Sequence, residues 1–131
     1  MTAKDARSLD TSGASPLAQE SYERALAAFL GWRSEVGRAL ATAIDESPGF
    51  VMAHVLAAWR LLCSRDRVTA RLAQPAAARA AGLPANARGR LHLAAIDAAL
   101  ADDYQGARGR LGELLRLHPP DVLALPEAAP T

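Results

Sequence analysis

The residues from Leu91 to Pro119, LHLAAIDAALADDYQGARGRLGELLRLHP, decide the fold of this chain. They contain two runs of apolar residues at helical spacing, and only Asp102 and Asp103 separate the two runs. Two helices joined by so short a connection must pack side by side in opposite directions. Pro119 and Pro120 then end the second helix, because proline lacks the backbone N–H that a helix uses. The stretch therefore predicts an antiparallel helical hairpin.

Two earlier prolines indicate that the same unit occurs three times. Pro48, Pro84 and Pro119 are 36 and 35 residues apart, and each follows a stretch that reads as an amphipathic helix. The pattern predicts an all-α fold of stacked antiparallel hairpins with six to seven helices. The six helices that can be bounded cover residues 15–31, 34–47, 50–63, 68–81, 86–101 and 104–117. We expect a flexible arm at 1–14, one helical domain at 15–125 and a tail at 126–131.

The third predicted helix, residues 50–63, differs from the others because it carries two apolar stripes and Arg60 as its single charge. A helix that is apolar on two sides is expected to lie in the middle of the fold. On the fourth predicted helix we expect an inward face made of Val68, Leu72, Ala76 and Ala80.

The overall composition excludes several classes of protein. The 131 residues carry a net charge of +1, and the two signs are interspersed along the predicted helices, so we expect no nucleic-acid or membrane partner. Cys63 is the sole cysteine, which fits a reducing compartment. Neither a standard secretory signal nor an apolar run of spanning length is present, and we expect a cytoplasmic protein. The excess of arginine over lysine is typical of GC-rich bacterial genomes.

The hairpin at Leu91–Pro119 resembles a tetratricopeptide repeat. Asp103–Ala107 falls at the tight turn of that repeat, Leu111 and Leu114 fall on its second helix, and Pro119 falls at its terminal proline. The proline intervals are also close to the repeat length of about 34 residues. This resemblance implies a short right-handed solenoid.

Four stretches are similar to the amino-terminal part of the tetratricopeptide repeat protein 38 family. They occur in the same order and at similar spacing between residues 17 and 125: ESYERAL at 20–26, AIDESPGFVMAH at 43–54, RLHLAA at 90–95 and HPPDVLAL at 118–125. The family is defined by its fold more than by an activity. The resemblance therefore implies a repeat architecture and leaves the biochemical role open.

The candidate binding residues lie on the two helices that would line a concave groove. His54 and His92 fall near corresponding starts of the third and fifth predicted helices. Each is either a groove contact or a buried, hydrogen-bonded packing residue, and the pattern leaves both interpretations open. The candidate set is completed by Trp59, Arg60 and Arg88.

Motifs for catalysis or metal binding are missing from the sequence. No phosphate loop, nucleophile elbow, HExxH or dinucleotide motif occurs, and the histidines and Cys63 lack zinc-site spacing. We expect no cofactor and no metal. The sequence favours a non-catalytic scaffold that binds a peptide, helix or protein surface. The alternatives are a small-ligand binder or enzyme with a pocket around His54 and His92, and a structural part of a larger assembly.

The carboxyl-terminal face is a candidate interface between two copies of the chain. Pro126 interrupts the chain soon after the last predicted helix, and an apolar stripe would then stay partly uncovered. We expect a homodimer or another helical partner to cover it. The residues of this face are Leu111, Leu114, Leu115, Val122, Leu123 and Leu125.

Overall fold

The computed structural model describes residues 3–4, 10–11, 13–30, 35–63 and 66–117. Within these residues the chain forms seven helices and one short pair of strands. The strands are β1 (Ala3–Lys4) and β2 (Asp10–Thr11), which pair antiparallel. The helices are α1 (Pro16–Leu30), α2 (Val36–Glu46), α3 (Val51–Leu62), α4 (Arg67–Arg71), α5 (Ala73–Ala81), α6 (Ala87–Leu100) and α7 (Tyr104–Leu117).

Side-chain caps mark where several helices begin. The Ser15 hydroxyl accepts the backbone N–H of Ala18, and the Asn86 side chain accepts that of Gly89. Such caps satisfy N–H groups that have no partner inside the helix, which is why Ser, Asp and Asn are favoured there. The hairpin turn before α7 uses both of its aspartates. Asp102 takes the left-handed conformation at φ 62°, and Asp103 caps α7 by accepting the N–H of Gly106.

Three helical hairpins make up the fold. α1 packs on α2, α3 packs on α5, and α6 packs on α7. The predicted all-α architecture is confirmed in this form, with the two-residue strands as an addition that the hydrophobic pattern did not indicate.

The prediction that the third helix is central is confirmed. α3 contacts α1, α2, α4, α5 and α6. Its residues are buried from Val51 to Leu56, and Arg60 is its one exposed residue. Gly89 of α6 allows a close approach to α3, because a Cβ at this position would lie 3.1 Å from Cγ1 of Val51. Residues of α3 thus pack against helices that precede it in the chain and against helices that follow it.

The fourth predicted helix is divided in two. Its residues form α4 and α5, which meet at Leu72, and Pro75 accounts for the break. Proline at 75 cannot donate to the Arg71 carbonyl, but it is tolerated in the first turn of α5. The expected inward face is therefore wrong in its first half. Val68 and Leu72 are 72% and 55% exposed, whereas Ala76 and Ala80 are buried.

The core is built largely from alanine and leucine, with few rings. Alanine contributes buried positions on every helix except α4, and small side chains of this kind let helices approach closely. Tyr22 and Phe50 supply the main aromatic contact, with ring centroids 5.1 Å apart. No helix among the described residues is both long enough and apolar enough to cross a bilayer.

Candidate functional site

His54 closes the turn between α2 and α3. It lies in the second turn of α3 and is 4% exposed. Its Nε2–H donates to the Pro48 carbonyl oxygen at 2.8 Å, since a carbonyl can only accept. This places a proton on Nε2, and Nδ1 is buried without a hydrogen-bond partner among the described residues. The ring therefore ties α3 to the backbone that precedes it.

His92 forms a buried pair with Trp59. The indole Nε1–H of Trp59 on α3 donates to Nδ1 of His92 on α6 at 3.0 Å. The two rings meet edge to face at 73°, with centroids 6.3 Å apart. His92 is fully buried and Trp59 is 3% exposed. Because an indole N–H can only donate, His92 must keep Nδ1 unprotonated and carry its proton on Nε2.

The two arginines of the candidate set have opposite environments. Arg88, in the first turn of α6, is 2% exposed. Arg60 is exposed near the end of α3, and its guanidinium lies over Gly37 of α2, where a Cβ would stand 3.3 Å from Nη2. Arg60 is therefore open to solvent at the edge between α2 and α3, whereas Arg88 is part of the interior.

The structure thus separates the five candidate binding residues. Trp59 and His92 form one pair, His54 binds the preceding turn, and Arg88 is buried in α6. Of the five, Arg60 alone is exposed. These hydrogen bonds tie α3 to the preceding turn and to α6, and both imidazoles are buried. Within the described residues, no three side chains of His, Cys, Asp or Glu come together as a metal site would require.

The expected carboxyl-terminal interface needs a correction. Leu111 and Leu114 are 1% and 0% exposed, because the antiparallel packing of α7 on α6 buries this side of α7. Leu115 is partly buried against the same core. Val122, Leu123 and Leu125 lie outside the described residues. Leu111 and Leu114 are therefore core residues of the single chain.

Two residues with a clear role were missed by sequence reasoning. Gly89 allows the close approach of α6 to α3. The signal for it in the sequence was a glycine within a stretch whose other residues favour a helix. Pro75 sets the break between α4 and α5, and its signal was a proline in the middle of a predicted helix.

Among the residues that the structure describes, Asp66 carries a carboxyl group whose pKa is shifted. It caps α4, and the hydrogen bond from the Thr69 hydroxyl lowers its pKa from 3.8, followed by the bond from the Val68 N–H. Both bonds favour the charged carboxylate. Asp66 is exposed, and these two bonds make it the amino-terminal cap of α4.

Comparison of the chain with protein-family models, with curated proteins and with solved structures found no match.

Proposed function

We propose that this chain is a non-catalytic helical-repeat module that binds a peptide, helix or protein surface. The observation that carries the proposal is the succession of three helical hairpins in which α3 also contacts α6, the first helix of the next hairpin. Stacked hairpins of this kind present an extended surface along their first helices. A right-handed tetratricopeptide-like solenoid, cytoplasmic and related to the tetratricopeptide repeat protein 38 family, is the form that we propose.

The burial of the imidazoles supports binding over catalysis. A general base must reach a proton on its substrate within hydrogen-bonding distance. His54 is bound to a backbone carbonyl and His92 to an indole, and neither ring is more than 4% exposed. The alternative of a ligand pocket or an active site around these two residues gains no support from their geometry.

The proposed contact surface is the solvent-facing side of α3. Ala57, Arg60 and Leu61 are spaced three and one residues apart and share one side of the helix. Ala57 and Leu61 are half-buried, and Arg60 is exposed beside them. An arginine next to small apolar side chains can bind a carboxylate while the partner buries apolar surface. We call these three residues the α3 stripe.

Photocrosslinking in the producing cell tests this assignment. A benzophenone amino acid is introduced at Ala57 or at Leu61, and a matched control carries it at Gly109 of α7, where nothing lies within 4 Å of a Cβ. We expect covalent adducts with the same partner from both α3 positions. Arg60→Glu should reduce the yield of these adducts at least about tenfold, because it places a like charge against the partner's acidic group.

The adducts at the control position decide the outcome. Adducts that form equally from Gly109, or that ignore Arg60→Glu, would contradict binding at the α3 stripe. An absence of adducts from both α3 positions would contradict it as well.

A further inference from the structure

The outer surface of α4 and α5 is apolar and basic. Val68 on α4 and Leu72, the residue between α4 and α5, are 72% and 55% exposed. Leu72 keeps helical dihedral angles, so the spacing of four residues puts the two side chains on the same side. Val68 is more exposed than any other large apolar residue in the described part of the chain. Arg71 in the last turn of α4 and Arg79 in the last turn of α5 are exposed as well. We call these four residues the α4–α5 surface.

The charge of this surface is unbalanced over a long stretch of sequence. From Arg67 to Ala81, the span of α4 and α5, the chain has three arginines and no acidic residue. The even mixing of charges expected from the whole sequence therefore does not hold here. An exposed apolar pair flanked by unbalanced arginines fits a partner that offers carboxylates next to small apolar groups.

The first hairpin of the same chain offers such a partner surface. Asp45 and Glu46 are exposed in the last turn of α2, and that turn contains no basic residue. Carboxylates at the carboxyl end of a helix are opposed by the helix dipole, so a cation from outside stabilises them. Ala41, exposed one turn earlier on the same side as Asp45, adds an apolar contact. We call Ala41, Asp45 and Glu46 the acidic end of α2.

We propose that the α4–α5 surface of one copy binds the acidic end of α2 in a second copy. Arg71 and Arg79 pair with Asp45 and Glu46, and Val68 and Leu72 are covered at the same time. The contact joins two different surfaces, so it is head-to-tail and either closes into a ring or continues as a chain of copies. It uses neither the α3 stripe nor the buried histidines and is therefore independent of the proposed partner binding.

Sedimentation velocity over a range of concentrations tests the self-association. We expect weight-average mass to rise with protein concentration in about 50 mM salt and much less in about 500 mM salt, where exposed charges are strongly screened. A chain that sediments as a monomer at about 200 μM in low salt would overturn the proposal, because even a weak contact with a Kd near 100 μM is populated there.

Charge reversal then locates the contact. The doubly substituted variant Arg71→Glu/Arg79→Glu and the doubly substituted variant Asp45→Arg/Glu46→Arg should each weaken self-association at least about tenfold, because like charges then face each other. The matched control is Arg110→Glu/Arg116→Glu on α7, which makes the same charge change at exposed positions and should leave association unchanged. Circular dichroism verifies that all variants keep their helical content.

Mixing the two charge-reversed variants provides the sharpest test. In the mixture the intact acidic end of α2 from one variant meets the intact basic surface of the other, and the reversed surfaces also complement each other. Mixed complexes should therefore form although neither variant associates alone. A mixture that stays monomeric, or association that survives in either variant alone, would overturn the assignment of these surfaces.

Discussion

At the scale of single residues, two glycines show how a missing side chain can have opposite effects. Gly13 has φ +80°, and a Cβ there would overlap the Gly49 carbonyl in the turn between α2 and α3. The neighbouring Ser15 N–H donates to the Ser47 hydroxyl at 3.0 Å, so the chain before α1 is held against the same turn. Gly109 on α7 has nothing within 4 Å of a Cβ, so no neighbour requires a glycine there.

The same substitution should therefore shift stability in opposite directions at these two positions. Gly13→Ala should lower the free energy of unfolding by at least about 1 kcal/mol, because alanine disfavours positive φ and its methyl would overlap Gly49. Gly109→Ala should raise that free energy by about 0.5–1 kcal/mol through better helix propensity. Urea denaturation measures both changes. Equal effects of the same sign would contradict the packing described for Gly13.

The Trp59–His92 pair is a second point at which single atoms matter. Trp59→Phe keeps most of the apolar volume but removes the N–H that His92 Nδ1 accepts. We expect the free energy of unfolding to fall by about 1–3 kcal/mol, the range for a buried polar group that loses its partner. Tyr104→Phe is the control, because it removes a hydroxyl donor at an exposed position and should have little effect. Nitrogen NMR shifts that place the His92 proton on Nδ1 would contradict the pair.

At the scale of elements, α4 carries a side-chain cap at its amino end. It has five residues, and the Asp66 side chain accepts the N–H of Val68 and the hydroxyl of Thr69 at 3.1 Å and 2.7 Å. A helix this short forms few backbone hydrogen bonds of its own, and the cap satisfies one of the N–H groups that lack a partner in its first turn. The same two hydrogen bonds favour the charged carboxylate and therefore lower the pKa of Asp66.

This cap predicts a pH dependence with a definite sign. The pKa of Asp66 is lower in the folded chain than its ordinary 3.8, so the stabilisation is complete above that value. It is lost as the pH falls through the folded pKa. Asp66→Ala should therefore lower the melting temperature at pH 7, and the difference from the parent chain should shrink below about pH 3.8. A difference that stays constant down to pH 2 would contradict the capping role.

The elements also show what the sequence can predict. The bounds of α1, α3, α6 and α7 were predictable to within one or two residues, because periodicity, caps and prolines act locally. The exposure of Val68 and Leu72 was not predictable. It depends on how Pro75 divides the helix and on which helices then pack against α4. The partner of His92 was not predictable either, because Trp59 is 33 residues away and the contact exists only once α3 and α6 have packed.

At the scale of the whole molecule, α3 holds the three hairpins together. It packs on α5 within its own hairpin and contacts α2 and α6 on either side of it. Side-chain hydrogen bonds near both ends of α3 connect it to its surroundings. His54 binds the turn before α3, and Trp59 binds His92 of α6. The packing of the three hairpins against one another therefore depends on this one helix.

The most direct test of this account compares leucine substitutions on α3 and α1 by equilibrium denaturation. Leu56 of α3 is fully buried, whereas Leu30 at the end of α1 is 39% exposed. Leu56→Ala should lower the free energy of unfolding by about 2–5 kcal/mol, the range for a buried leucine cut to alanine, and Leu30→Ala should lower it by much less. A larger loss from Leu30→Ala than from Leu56→Ala would contradict the central position of α3.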